Sequence, residues 1–230
     1  LESVHKERSI TPPGLKQQVV SSLFELLGDD WLVYPAMHYR WNFKRHNLLY
    51  ILNAFGNARQ PDWPKAIRWL GGIKPAFKFG IVPRLMLGIN KSNIPTLEAW
   101  TLELLDWLDD HFSRHNYLLG GRPCYGDFSL YGPLHAHFAL DPYPRKHLIQ
   151  PRQHLHAWLE RMGATPQHIG EWLPGDDIPE TLVPILQSQC QDQLHHIHAV
   201  IDKTAHWISQ HPEAETLPRF IGQVDYRLND

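Results

Sequence analysis

Apolar residues recur every three or four positions over several stretches of this chain, the period of a helix that buries one face. Over residues 15–32 they fall at Leu15, Val19, Leu23, Leu26 and Leu27. Gly28-Asp29-Asp30 interrupts that pattern, and Trp31-Leu-Val-Tyr34 resumes it before Pro35. Met37, Trp41, Leu48, Leu49, Leu52 and Phe55 predict a second helix over residues 36–55. The clearest periodicity runs from Thr96, a predicted cap, to His115. There Leu97, Trp100, Leu104, Leu108 and Phe112 share a face, and Glu98, Glu103, Asp106, Asp109 and Asp110 lie mostly on others. Further helices are predicted over Phe128–Leu140, His154–Met162 and Thr181–Gln210, with stops at Asp141-Pro-Tyr-Pro144 and His211-Pro212.

Two segments depart from this regularity. Residues 1–13 lead into Thr11-Pro-Pro-Gly14 without an apolar period and read as a linker. Residues 60–92 are punctuated by Pro61, Pro64, Pro75, Pro83 and several glycines. Each proline removes an internal hydrogen bond, so short helices joined by bends are expected. Trp69, Phe77, Phe79, Leu85 and Met86 sit there among basic residues, either packed on the bundle or forming an apolar flap. With no alternating strand pattern and no internal repeat, the predicted class is all-α.

A chain of 230 residues is long enough for one large domain, or one domain and an extension. The net charge of −2 gives no electrostatic reason to expect nucleic acid or a membrane surface as partner. Two cysteines, Cys124 and Cys190, lack the spacing of a disulfide framework or a metal site. Neither a signal core nor a spanning apolar run is present, so a reduced cytoplasmic setting is expected. Sixteen histidines make the surface charge depend on pH. His195, His198 and Asp202 share a helical face that is compatible with zinc, though an exposed histidine-rich face is the plainer expectation, and no metal is predicted.

The most informative stretch is Tyr117-Leu-Leu-Gly-Gly-Arg-Pro-Cys-Tyr-Gly-Asp-Phe-Ser-Leu-Tyr131, a glycine-proline turn that opens into a helix. A Ser or Thr followed three residues later by an acid closes a reciprocal capping box on the unpaired N–H groups of a helix start. Here Cys124 supplies a thiol, a weak acceptor, and Asp127 supplies the acid, which can reach back to the Cys124 N–H. Asp127 is therefore read as a structural cap. Cys124 is open to two readings, a buried capping residue or a reactive thiol at a helix N-terminus. Gly121 to Gly126 mimics half a phosphate loop, but Asp127-Phe128 replaces the required Lys-Ser/Thr.

Taken in order, these pieces resemble the C-terminal helical domain of glutathione S-transferases. The resemblance rests on the helix ending in Tyr117-Leu-Leu-Gly120, the Gly121-Arg-Pro123 turn, Asp127-Phe-Ser-Leu-Tyr131 and His154-Leu-His-Ala-Trp-Leu-Glu-Arg-Met162. Asp29-Asp-Trp-Leu32 and Ala36-Met-His-Tyr-Arg-Trp41 look like the first domain helices of certain bacterial members. Leu217-Pro-Arg-Phe-Ile-Gly222 resembles the start of their tail, and Leu1-Glu2 the end of a preceding thioredoxin-like domain.

The resemblance implies a transferase-like helical bundle over 14–175, with a C-terminal helix and tail, 176–230, packed on it as an extension. It also implies that glutathione, the cosubstrate, is held by a thioredoxin-like domain elsewhere in the parent protein. No catalytic residue is then expected in this chain, and no cofactor bound to it alone. What carries over is the wall of a site for a small apolar electrophile, with Trp31, Tyr34, His38, Tyr39 and Trp41 as candidates. Asp29 and Asp30 are weaker candidates for the ammonium end of glutathione, and Arg40 for a carboxylate. The competing expectations are plain: core positions for Trp31 and Trp41, a solvated helix end for the two aspartates and a surface ion pair for Arg40. A homo-oligomer is expected, and a non-catalytic transferase-like binding or scaffold module is the alternative role.

Overall fold

The structure, a computed structural model, describes residues 9–164, 170–218 and 221, with the backbone alone for 81–86. Leu1-Glu2, the side chains of Leu85 and Met86, and Arg219, Phe220 and Gly222 of the tail lie outside the described residues.

Among the described residues ten α-helices follow in order: α1 (Leu15–Leu26), α2 (Val33–Asn42), α3 (Lys44–Arg59), α4 (Arg68–Met86), α5 (Ile94–Arg114), α6 (Tyr125–Pro133), α7 (Pro142–Pro144), α8 (Gln153–Gly163), α9 (Val183–Gln189) and α10 (His195–Gln210). Wide, π-type turns join α1 to α2 (Leu27–Trp31), extend α6 (Leu134–Ala139) and link α9 to α10 (Cys190–Leu194). The fold is all-α. Among the described residues the only extended pairings are isolated bridges at Tyr117–Gly120 and Gly120–Trp172. No described helix is long and apolar enough to cross a membrane.

The core forms where α1, α5, α6 and α8 meet. Phe24 and Leu27 pack there with Leu104, Leu105 and Leu108 of α5, Leu130 of α6, and Leu155 and Trp158 of α8. Each such side chain, fully withdrawn from water, contributes about 1.5–3 kcal/mol. Close approach of α1 to α6 depends on Gly126, where a Cβ would lie 2.6 Å from the Phe24 Cβ. A second, smaller cluster of Trp41, Ile51 and Ala76 ties α2 to the α3–α4 hairpin.

Three expectations are corrected. The single helix expected over 36–55 is broken at Phe43 (φ −97°, ψ 45°). The Asn47 amide holds the break by donating to the freed carbonyls of Tyr39 (2.8 Å) and Arg40 (3.1 Å), and its Oδ1 accepts the Tyr143 N–H. The short helices expected within 60–92 give way to one 19-residue helix, α4, running through Pro75. Here tertiary contact overrides local propensity: Gly56 lies against the Arg68 backbone and Gly72 against the Leu52 backbone, so α3 and α4 meet main chain to main chain. Finally, α5 begins at Ile94 after Asn93, ahead of the predicted cap Thr96. Asn93 closes that turn, accepting from the Asn90 N–H and donating to the Gly88 carbonyl.

Candidate functional site

The signature turn folds around one carboxylate. Asp127 is fully buried and accepts four hydrogen bonds, from the N–H groups of Cys124 (2.9 Å) and Leu118 (3.1 Å), the Trp158 indole (3.1 Å) and the Cys124 thiol (3.3 Å). Burial pushes its pKa up to about 6 while these donors pull the other way. The Cys124 thiol is raised far above its ordinary range, first by burial and then by the Asp127 charge. It stays protonated and donates to the carboxylate, an arrangement opposite to that of a reactive thiolate.

The second local structure is the wide turn after α1. Main-chain carbonyls ahead of it are braced from a distant part of the chain. Two α-carbonyls here are taken by glutamine amides from the α9 region: Leu23 by Gln189, and Leu26 by Gln193 at 2.9 Å. So held, the turn presents Trp31 beside Tyr34, with ring centroids 5.2 Å apart, and His196 of α10 lies 5.9 Å from Trp31. All three side chains are half-buried, so an apolar face remains open to a ligand.

One turn beyond Tyr34, His38 is buried, with Nε2 2.7 Å from Glu98 Oε1 of α5 and Nδ1 2.6 Å from the Asn42 amide. A carboxylate only accepts, so Nε2–H donates to Glu98, and Nδ1 accepts from Asn42.

Residues 101–161 match the family model for the glutathione S-transferase C-terminal domain. The matched span runs from within α5, through the Asp127 turn and α6, into α8. The chain carries a glutathione S-transferase C-terminal-like domain. No curated protein and no solved structure matches it.

The candidate wall residues, all ahead of the matched span, part company. Trp31 and Tyr34 line the half-open ledge, and His38 lies behind it. Tyr39 is interior, stacked on Phe43 at 5.5 Å and set against Phe138; burial, then Glu98, raises its hydroxyl well above the ordinary range. Trp41 belongs to the separate cluster under α3–α4, its indole Nε1 buried and unpaired. Arg40 is engaged internally: Nε and Nη2 each lie 2.8 Å from an Asp141 oxygen, and Nη2 also reaches the Ala136 carbonyl. Asp29 and Asp30 are exposed on the wide turn next to Trp31. His195, His198 and Asp202 are exposed on α10, and no metal-holding group occurs among the described residues.

Three neighbours of the ledge escaped sequence reading. Glu98 reads as an outward polar residue of α5, Asn42 carries no distinguishing pattern, and His196 is one member of a histidine run. Only the packing of α5 against α2, and of His196 against Trp31 in the preceding turn, gives them meaning. A separate open depression of about 330 Å³, lined by Phe112, His115, Gly121 and Glu171 among others, sits at the far end of α5.

Proposed function

We propose that this chain is the electrophile-site half of a glutathione transferase-like protein. Glutathione and the residue that stabilises its thiolate belong, in this reading, to a thioredoxin-like domain of the parent protein. The thiolate sulfur attacks an electrophilic centre and forms the new bond, and the displaced electron pair leaves with the leaving group or passes into the acceptor. This chain's part is to bind and orient the apolar electrophile and exclude water from its face.

The observation that carries the reading is the half-buried Trp31–Tyr34 pair on a turn clamped by Gln189 and Gln193. Exposed Asp29 and Asp30 beside it suit the ammonium end of glutathione, whereas Arg40 is occupied by Asp141. The parent is read as a cytoplasmic homo-oligomer.

The test is binding of an apolar dye, an anilinonaphthalene sulfonate, followed by the dye's own fluorescence. Saturable binding abolished in Trp31→Ala/Tyr34→Ala, and retained in Trp41→Phe, supports the ledge as the site. Binding unchanged by the double substitution removes it. A second reading, a non-catalytic transferase-like binding module, is favoured by the interior placement of Tyr39 and Trp41 and the engagement of Arg40 by Asp141, which leave few polar groups at the ledge. It predicts no glutathione-conjugate binding and a saturable protein partner.

A further inference from the structure

The whole-chain charge of −2 conceals a strong segregation. Residues 43–92 hold nine of the 22 Lys and Arg but, in Asp62, only one of the 24 Asp and Glu, a net charge of +8. The rest of the chain, with 13 basic and 23 acidic residues, carries −10. The basic segment is the α3–α4 hairpin and its connections.

On α4 the apolar pattern is turned outward as well as inward. Gly72, Ala76 and Gly80 face the molecule, with Gly72 against the Leu52 backbone and Gly80 under the Trp41 ring. Leu70, Ile73 and Phe77, at i, i+3 and i+7, form a strip on another face that is 42%, 45% and 71% exposed. Lys74 and Lys78, four residues apart, lie exposed alongside the strip. Trp63, Ile67 and Trp69 extend the exposed apolar surface at the start of the helix.

A contiguous exposed apolar surface marks an interaction site. Its chemistry selects the occupant. An isologous contact with a second copy would bring +8 against +8. Nucleic acid would engage the lysines but leave Ile73 and Phe77 at the centre of the patch without apolar partners. An anionic bilayer satisfies both parts: acyl chains take the strip, headgroups take the flanking lysines, and tryptophans suit the boundary between them. We infer that the α3–α4 hairpin is a peripheral docking surface for anionic phospholipid bilayers. The low net charge that argued against a membrane partner averages over two oppositely charged regions.

The 230-residue chain is sedimented with vesicles of phosphatidylcholine alone or with phosphatidylserine added. Co-sedimentation with the serine-containing vesicles only, released by high salt, is the expected result. Lys74→Gln/Lys78→Gln should weaken binding about 25-fold, roughly fivefold per charge. Phe77→Ser should weaken it further, with the far-ultraviolet circular dichroism of both variants unchanged. No sedimentation with either vesicle overturns the inference, as does undiminished binding by the lysine variant. Pelleting without lipid assigns the surface to a second copy of the chain, and retention of a short DNA duplex without vesicle binding assigns it to nucleic acid. Either of those results also overturns it.

Discussion

His38 of α2 and Glu98 of α5 meet 2.7 Å apart behind the aromatic ledge, one side chain buried and the other partly open to solvent. The contact locks the imidazole into one tautomer, because Asn42 holds Nδ1 while the carboxylate takes the Nε2 proton. It also fixes α2 against α5, the helix at which the matched family segment begins.

His38→Ala should therefore lower stability by about 1–3 kcal/mol, the range for a buried hydrogen-bonding group whose partners are left unmatched. Glu98→Gln keeps an oxygen acceptor and should cost less than half as much. Urea unfolding of the two variants checks this, and equal losses would show that the pair is not the cause.

Arg40 and Asp141 make an internal ion pair, a two-pronged fork around a fully buried carboxylate. Asp141→Ala leaves the guanidinium without its partner and should destabilise by about 3–5 kcal/mol. Arg40→Lys cannot reproduce the fork and should also destabilise. Ligand affinity per folded molecule should be unchanged in the lysine variant, which titration with an anilinonaphthalene sulfonate would measure.

The pH dependence has two opposing sources. Burial lowers the pKa of His111 to about 4, so the unfolded chain binds more protons between pH 4 and 6.5, and this contribution to stability is lost as pH falls through that window. His137 is lowered to about 4 by burial and then by Arg40, and acts in the same direction. Asp127 is raised to about 6, so here the folded chain binds more protons between pH 4 and 6, and its contribution is lost as pH rises. Burial also lowers His115 and His196 and raises Asp141, so four lowered histidines stand against two raised aspartates, and stability should fall on acidification from pH 7 to 4.5. Asp127→Asn should steepen that fall, and His111→Gln should flatten it. Urea midpoints across the range decide the matter.

Cys124 is buried and Cys190 exposed. One thiol per folded chain should react rapidly with a disulfide reagent, and two after denaturation. Cys190→Ser should abolish the fast reaction. Cys124→Ser supplies the hydroxyl that a capping box ordinarily uses, and should change stability by no more than about 1 kcal/mol. Two fast thiols in the folded wild type would contradict the buried, protonated state of Cys124.

Much of the candidate site was hidden for an identifiable reason. Trp31, Tyr34, His38 and Trp41 recur at three- and four-residue steps, so local periodicity groups them with adjacent Tyr39 as one wall. The wide turn at Leu27–Trp31 and the break at Phe43 bound α2, and two different sets of partners then divide the group. Trp31 meets His196 on one side of the molecule, whereas Trp41 meets Ile51 and Ala76 on another.

The amino-acid sequence alone determined the helical class, the amphipathic face of α5 and the Asp127 cap. These depend on residues within a turn or two of one another, where spacing along the chain is spacing in the fold. Only the tertiary structure decided the unbroken length of α4, the break at Phe43 held by Asn47, the pairing of Arg40 with Asp141 and the division of the aromatic wall. Each of these rests on partners far away in sequence: Gly56 and Leu52 for α4, Tyr143 for Asn47, Asp141 for Arg40, Glu98 and His196 for the ledge. Helical period specifies which face a residue occupies, and packing specifies what that face meets.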